Sequence, residues 1–444
     1  MYNKPYAAVL LMLLATPLWS QQLASSSNSS DDSRMIAPPP VSGAAYPTTT
    51  LSEARSNFLR GAVVFTSTYS DNAVTSATGA PVSDLSFSIW PTITLDRTTP
   101  RLQTMFTYSP GYTFYRRLDS RDELDQSFTG SMEYRLSPHV TLNLRDSFRE
   151  SSNYFNQPDA QSLTPVPGST QGQGALVIAP VADQIHNNGN AELTYQFSAN
   201  SMVGVSGSFG NLHYPTSSQV PGLYDSNSAG GSFFYNHRVS RRHYLGATYQ
   251  YDRIVAYPVG AENKTQTHAI LGFYTLLITP TLSVSVSGGP QRSQLEESPL
   301  PTAHSWSPTE SASIGWQGQR TSLAASYSHL VSGGGGLVGA FHSSVANASL
   351  RRQLAKTWTA AVSGGYSIYK SVNPAFAIAG ISSGGHSVFG TATLQHTLGA
   401  HMHFEAGYAR LHQNYAGIAV VSAAPDTNRE FITISYEFAR PIGR

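Results

Sequence analysis

The segment FITISYEF (431–438) places apolar and mostly polar side chains on opposite faces of an extended chain. Its apolar face carries Ile432, Ile434, Tyr436 and Phe438. Comparable segments recur about every 15–25 residues from about residue 60 onward, separated by polar turns. Strands cross a membrane only in a closed barrel, because hydrocarbon leaves no partner for an unpaired backbone group. The pattern therefore predicts an all-β, transmembrane, antiparallel up-and-down β-barrel.

The composition agrees with a lipid-facing surface. Charged residues make up 12% of the chain, about half of the roughly 25% found in soluble domains. The net charge of +1 provides no basic surface for nucleic acid, so a nucleic-acid partner is not expected. A soluble β-sandwich would have shorter strands and more surface charge. With no cysteine in the chain, the closed sheet has to supply the stability.

The chain is predicted to be one barrel preceded by two short segments. Residues 1–20 have the charged start and short apolar core of a signal peptide. Residues 21–57 are rich in Ser, Thr and Pro without periodicity, which predicts a disordered periplasmic tail. Residues 58–444 contain the outer-membrane β-barrel. No cysteine follows the signal, so a lipoprotein is excluded.

The alternation predicts about 18 strands, with 16 as the alternative if one long strand has been divided. Short periplasmic turns are expected to alternate with long extracellular loops, and both chain ends should lie on the periplasmic side. The predicted strands are 59–70, 83–95, 101–116, 124–136, 139–151, 190–199, 201–214, 229–240, 242–256, 266–279, 281–292, 309–318, 320–332, 341–353, 356–369, 385–397, 400–414 and 428–438. A barrel of this size leaves a water-filled interior.

The chain resembles outer-membrane β-barrel porin-like proteins of soil bacteria, some of them encoded near exopolysaccharide operons. The resemblance rests on RLQTMFTYSPGYTFYRR (101–117), YRLSPHVTLNLRDSF (134–148) and the terminal strand. Tyr436 and Phe438 match the aromatic-x-aromatic ending that the barrel assembly machinery recognises. Thr433 departs from the usual Gly, and ARPIGR follows the aromatic residue that normally ends such a chain. The resemblance implies a passive or polymer-associated channel in the bacterial outer membrane.

Five charged residues are predicted to line the interior. They are Asp125, Glu133, Arg135, Arg145 and Arg149. Opposed acidic and basic groups in a pore create a transverse field that orients polar solutes. The alternative is that these groups only pair with one another in the wall. The longest loop, about 152–189, is the third external loop, and it is predicted either to narrow the interior or to cover it.

The remaining motifs do not indicate chemistry. Gly380–Gly384 matches the G-x-S-x-G string but lies in a Gly/Ser loop, without the strand-turn-helix that a nucleophile elbow needs. His401, His403 and Glu405 share a strand face beside a turn, where water is the expected partner. The sequence therefore predicts no enzyme activity, no cofactor and no metal site.

The function predicted from the sequence is passive diffusion of small polar solutes, including sugars, through an outer-membrane channel. Two alternatives stay open: an accessory barrel of exopolysaccharide export, and a structural or surface-binding barrel with a closed lumen. The expected partners are outer-membrane lipid, the barrel assembly machinery, and small polar solutes or oligosaccharides. A homotrimer also stays open, because Ala-rich strand segments lie at 323–325, 346–348 and 360–362.

Overall fold

The alternating segments form eighteen long strands in the computed structural model. The structure describes residues 57–74, 81–118, 122–153, 181–217, 222–258, 261–297, 301–334, 337–372, 384–415 and 426–441. The strands are β1 (Phe58–Val74), β2 (Val82–Thr98), β3 (Leu102–Tyr115), β4 (Glu123–Arg135), β5 (Val140–Asn153), β6 (Val181–Ser198), β7 (Ser201–His213), β8 (Ser226–Arg238), β9 (His243–Ala256), β10 (Asn263–Thr279), β11 (Leu282–Glu297), β12 (Ala303–Gln317), β13 (Thr321–Gly334), β14 (Leu337–Gln353), β15 (Trp358–Ser371), β16 (Gly384–Leu398), β17 (Met402–Tyr415) and β18 (Asp426–Pro441).

The sheet closes on itself, which removes both of its edges. Each strand pairs antiparallel with its neighbours in sequence, and β1 pairs with both β2 and β18. The closing ladder runs from Phe58 opposite Pro441 to Ser70 opposite Arg429. The predicted fold class and strand number are therefore confirmed, and the terminal strand continues past Phe438. The described residues contain no helix long and apolar enough to cross a membrane.

The connections differ at the two ends of the barrel. Two to four residues link each even-numbered strand to the next strand, at the end where both termini of the sheet lie. Most connections at the other end are longer, up to the segment 154–180 between β5 and β6. The short-turn end is the periplasmic end in barrels of this kind. One link breaks the alternation, since only residues 335–336 separate β13 from β14.

The outward face of the wall is the predicted apolar face. Val286 on β11, Val362 on β15 and Ile432 on β18 are all exposed. Residues at the alternate positions of the same strands point inward, among them the buried Ser283 of β11 and the half-buried Thr433 of β18. A closed barrel with an apolar outer belt is stable only when that belt faces lipid. The protein is therefore an outer-membrane barrel, and the predicted strand facing is confirmed at these positions.

Two predicted strand starts differ from the structure by more than four residues and are wrong. β6 begins at Val181 rather than 190, because the ladder to β5 continues through Ile185 and His186 although QIHNNGN has little apolar alternation. β12 begins at Ala303 rather than 309, and its Pro308 lies opposite Pro290 of β11. A proline cannot donate to the ladder, which is why this stretch did not resemble a strand. The predicted third loop is correspondingly shorter.

The extracellular ends of β13 and β14 fold into the barrel. Pairing of β12 with β13 stops at Glu310 opposite His329. Beyond this point Val331 of β13 packs with Leu295, which points inward from β11, and with Ala340 of β14. The side-chain amide of Gln291 replaces the missing ladder partner: its Nε2 donates to the Val331 carbonyl at 3.1 Å, and its Oε1 accepts from the Val331 amide at 2.8 Å.

The change Gln291→Leu tests what holds this hairpin inside. It should leave the amide and the carbonyl of Val331 without partners, at a cost of about 1–3 kcal/mol per buried group. We expect faster hydrogen exchange in the peptide around Val331, measured by mass spectrometry on the folded barrel. Gln294→Leu on the outward face of the same strand is the matched control. Equal protection in both variants would show that the Gln291 amide does not hold the hairpin.

Candidate functional site

Charged side chains line the interior of the wall that β4, β5 and β6 build. Glu133 and Arg135 alternate with the exposed Tyr134, and a distance of 3.7 Å separates Arg135 Nε from Glu133 Oε1. On β5, Arg145 lies between the outward positions Leu144 and Asp146. These positions are set by strand parity, so the sequence could assign their facing once the strands were known.

The register adds an acid that sequence reasoning did not single out. Glu192 of β6 lies opposite Asn143, which in turn lies opposite Glu133, so the two acids share one row across three strands. The Asn143 side chain hydrogen-bonds Glu192, and Arg145 interacts with it electrostatically. The acidic row thus lies between Arg135 toward the periplasm and Arg145 toward the outside. Finding Glu192 required the register, which no single-strand pattern contains.

The other two predicted residues lie nearer the extracellular end. Arg149 is opposite His186 of β6 and interacts with it electrostatically. Asp125 is fully buried at the extracellular end of β4, eight positions from Glu133. The structure therefore brings Glu133, Arg135 and Arg145 together, places Arg149 above them and keeps Asp125 apart.

Charged groups also line the opposite part of the interior. In the ring of eighteen strands, β14 is nine strands from β5. Arg351 of β14 donates from Nη2 to Gln395 Oε1 at 3.5 Å and interacts electrostatically with Glu405 of β17. Farther round, Arg60 of β1 is 3.3 Å from Asp96 of β2. Opposed charges therefore occur on both sides of the periplasmic half.

Between these charged walls the interior is lined by paired hydroxyl groups. Side-chain hydroxyls on neighbouring strands hydrogen-bond across the ladder at 2.6–3.0 Å in Thr66–Thr433, Thr92–Ser109, Thr94–Thr107, Ser206–Ser232, Thr275–Ser285, Ser287–Ser311, Ser363–Thr391 and Ser367–Ser387. Such pairs stabilise a sheet and leave lone pairs for water or solute. The surface they create is polar and uncharged.

An apolar arc on β7 to β10 interrupts this polar lining. Phe234 packs with Met202, Tyr244 and Leu277 on the inward face. The ring of Phe234 lies flat over Gly204, where an added Cβ would approach Phe234 Cζ to 2.2 Å. Phe273 covers Gly246 in the same way. The glycines therefore let aromatic rings lie against the wall instead of projecting across the interior.

The interior is not equally accessible along its length. Inward side chains near the extracellular ends of most strands are buried, among them Asn72, Asp84, Thr113, Asp125, Ser151, Gln184, Asn263, Ser293, Phe341, Tyr369, Tyr415 and Arg429. In the periplasmic half burial is mixed: Glu133 and Arg135 keep 39% and 32% of their side-chain surface, whereas Asp96 and Ser283 are buried. The folded-in ends of β13 and β14 contribute to this difference. Residues 154–180 of the predicted third loop lie outside the described residues.

The described residues contain no group of three or more His, Cys, Asp or Glu side chains that could hold a metal ion. His403 Nε2 is instead 3.9 Å from Glu437 Oε2 on the neighbouring strand. Residues 380–383 of the G-x-S-x-G string are outside the described part, and Gly384 opens β16.

Comparisons with known proteins identify similar barrels. The OccK2 (OpdF) structure of Pseudomonas aeruginosa has 9% sequence identity and a TM-score of 0.44, over 87% of this chain and 100% of that one. OccAB3 of Acinetobacter baumannii has 8% identity and a TM-score of 0.43, over 86% and 99%. The FrpB iron transporter of Neisseria meningitidis has 10% identity and a TM-score of 0.40, over 82% of this chain and 62% of FrpB. This chain therefore spans less than two thirds of FrpB. No family model and no curated protein sequence matches the chain.

Proposed function

We propose that the protein is an outer-membrane channel through which small polar solutes diffuse passively. The observation that carries the proposal is the division of the interior into opposed charges, hydroxyl pairs and one flat apolar arc. A barrel of about this strand number has room for water between its walls. No bond is made or broken, and solutes move down their gradients. Glu133, Arg135, Arg145 and Arg149 line part of the path, and Asp125 lies at its extracellular end.

The apolar arc favours sugars among such solutes. A sugar ring has an apolar face of C–H groups, which stacks on an aromatic ring, and a rim of hydroxyls, which hydrogen-bond polar walls. Phe234 and Phe273 offer the flat surface, and the hydroxyl pairs and carboxylates offer the partners. Glu133 and Glu192 lie in one row, where they could accept hydrogen bonds from a passing sugar.

A closed-lumen barrel that acts through its surface is the second candidate. The burial of inward groups at the extracellular end and the folded-in hairpin favour it. An accessory role in exopolysaccharide export would use the same apolar arc to hold a polymer.

Single-channel conductance of the refolded protein in planar bilayers tests the proposal. Steady openings are expected, with blockade by added oligosaccharides of increasing length. Absence of conductance in a folded barrel, verified by its heat-dependent mobility on a gel, would contradict the channel and support the closed barrel.

The change Phe234→Ala tests the sugar interaction. We expect weaker oligosaccharide blockade, by about fivefold to tenfold, because one stacked aromatic surface contributes on the order of 1 kcal/mol. Phe233→Ala is the matched control, since Phe233 is adjacent in sequence but faces lipid. Equal loss of blockade in both variants would mean that the inward ring has no special role.

A further inference from the structure

One part of the outer wall changes from apolar to basic within a single row of residues. On β9 to β12 the row of Tyr249, Ile270, Pro290 and Pro308 carries no charge. The next row toward the extracellular end is continuous across the same four strands and consists of Tyr251, His268, Arg292 and Trp306. The row above it holds Arg253, Gln266, Gln294 and His304.

These side chains face outward. Ile270 is 60% exposed and Trp306 70% exposed, and each shares its face with the basic residues next to it in the ladder. Arg253, His268 and Arg292 are themselves exposed. They lie at the height where the apolar belt ends, toward the extracellular side. This surface therefore borders the outer leaflet rather than the interior of the barrel.

The two arginines are not neutralised by the wall. Within the part of the chain that the structure describes, neither Arg253 nor Arg292 forms an ion pair with an acidic side chain. The nearby acid Glu296 is already 3.5 Å from Lys264. His268 is held in place by Tyr249, whose hydroxyl lies 2.8 Å from its Nδ1. The ring of Tyr251 lies 5.0 Å from the ring of His268.

A depression lies below the basic rows on the same outer face. It has a volume of about 530 Å³ and is lined by Gly288, Gly289, Pro290, Trp306, Ser307, Pro308, Thr309 and Glu310. Its upper part is apolar, and the bare glycines and the facing prolines leave the space open. Glu310 lies at its lower end, two rows below Trp306. An acyl chain could lie in the upper part without displacing a side chain.

We propose that this surface of β9 to β12 binds a phosphorylated glycolipid of the outer leaflet. Arg253 and Arg292 hold phosphates on the saccharide headgroup, and an acyl chain lies against Trp306 and Pro308. The arginine Cα atoms are about 12 Å apart from strand spacing and rise, which suits two phosphates on one disaccharide. Guanidinium groups bind phosphate through paired N–H donors. The amides of Gln266 and Gln294 supply partners for sugar hydroxyls.

Binding is measured on the full-length folded barrel by native mass spectrometry with bis-phosphorylated lipid A. The variant Arg253→Gln with Arg292→Gln should bind this lipid at least about tenfold more weakly, because charge-assisted hydrogen bonds are lost. The lysine pair Arg253→Lys with Arg292→Lys should retain part of the affinity. Arg410→Gln is the control, since Arg410 is another exposed arginine, 3.2 Å from Asp426 on a different part of the wall. Gel mobility before and after heating verifies that each variant is folded.

Two further probes separate the sources of phosphate. Dephosphorylated lipid A should bind the unaltered barrel as weakly as bis-phosphorylated lipid A binds the glutamine variant. Inorganic phosphate at the same concentration should not displace lipid A. Unchanged lipid A binding in the glutamine pair, or equal binding of the dephosphorylated lipid, would overturn the proposal. Displacement by inorganic phosphate alone would overturn the assignment to a lipid.

Discussion

Replacing Arg145 and Arg149 together with glutamate is expected to shift the reversal potential of the channel toward cation selectivity. The double variant changes the charge of the β5 wall by four units. It also places the new carboxylate at position 145 next to the row of Glu133 and Glu192, and the one at position 149 higher on the same strand, opposite His186. In a tenfold salt gradient we expect a shift of tens of millivolts, since a pore perfectly selective for one monovalent ion reaches a reversal potential of about 59 mV. The field of fixed charges in a narrow aqueous path acts on every permeating ion.

The control for this experiment makes one substitution of the same kind, with half the charge change, outside the path. Arg410→Glu introduces the same kind of substitution on the outward face, where Arg410 is exposed and 3.2 Å from Asp426. Its reversal potential should equal that of the parent. A double variant with normal conductance and no shift would show that Arg145 and Arg149 lie away from the narrow part of the path. High salt should shrink the shift, because screening shortens the range of the wall charges.

The facing of these residues could be predicted, but their grouping could not. Facing follows from the two-residue period of a strand, so once Tyr134 is assigned to the lipid face, Glu133 and Arg135 must point inward. Which residues meet across strands depends on register, and register is not visible in one strand. Glu192 is the clearest example, because its place beside Asn143 and Glu133 follows only from the β4–β5 and β5–β6 ladders.

The strands that were predicted least well are those with unusual residues. The first half of β6 contains a run of Asn and Gly (187–190), where pairing with β5 and β7 maintains the strand although propensity does not favour it. In SFFY (232–235) three aromatic residues are adjacent, so hydrophobicity alone cannot tell that Phe234 faces inward and Phe233 outward. The glycine opposite Phe234 contains that information, since only a bare backbone lets the ring lie flat.

The folded-in hairpin of β13 and β14 could not be predicted from the alternation of apolar and polar residues. Val331 and Ala340 continue the outward-facing positions of β13 and β14, and an alternation argument assigns both to the lipid face. The structure buries both, at 3% and 0% exposure, against the inward Leu295. The cause is the early end of the β12–β13 ladder together with a side-chain amide that takes over the backbone of Val331. A side chain that replaces a ladder partner in this way depends on tertiary contacts, which the pattern of a single strand does not contain.

An arginine at the middle of the outer belt should impair folding far more than one beside it that faces the interior. Val286 of β11 is 45% exposed and lies between the periplasmic Leu282 and the extracellular Arg292, and its partners Tyr274 and Ala312 share the lipid face. Val286→Arg should destabilise the barrel by about 2–4 kcal/mol, because the guanidinium would lie in hydrocarbon. The measurement is reversible unfolding in urea after refolding into lipid vesicles.

Ser287→Arg is the matched control, one residue along the same strand. Its side chain points inward, where water can solvate the charge, and the change removes only the 2.7 Å hydroxyl pair with Ser311. We expect a loss of about 1 kcal/mol for that pair. Equal destabilisation by the two arginines would contradict the assigned facing of β11, and with it the orientation of Arg292 on which the lipid surface depends. A large difference would support both, since a single strand parity determines which residues meet lipid and which meet the interior.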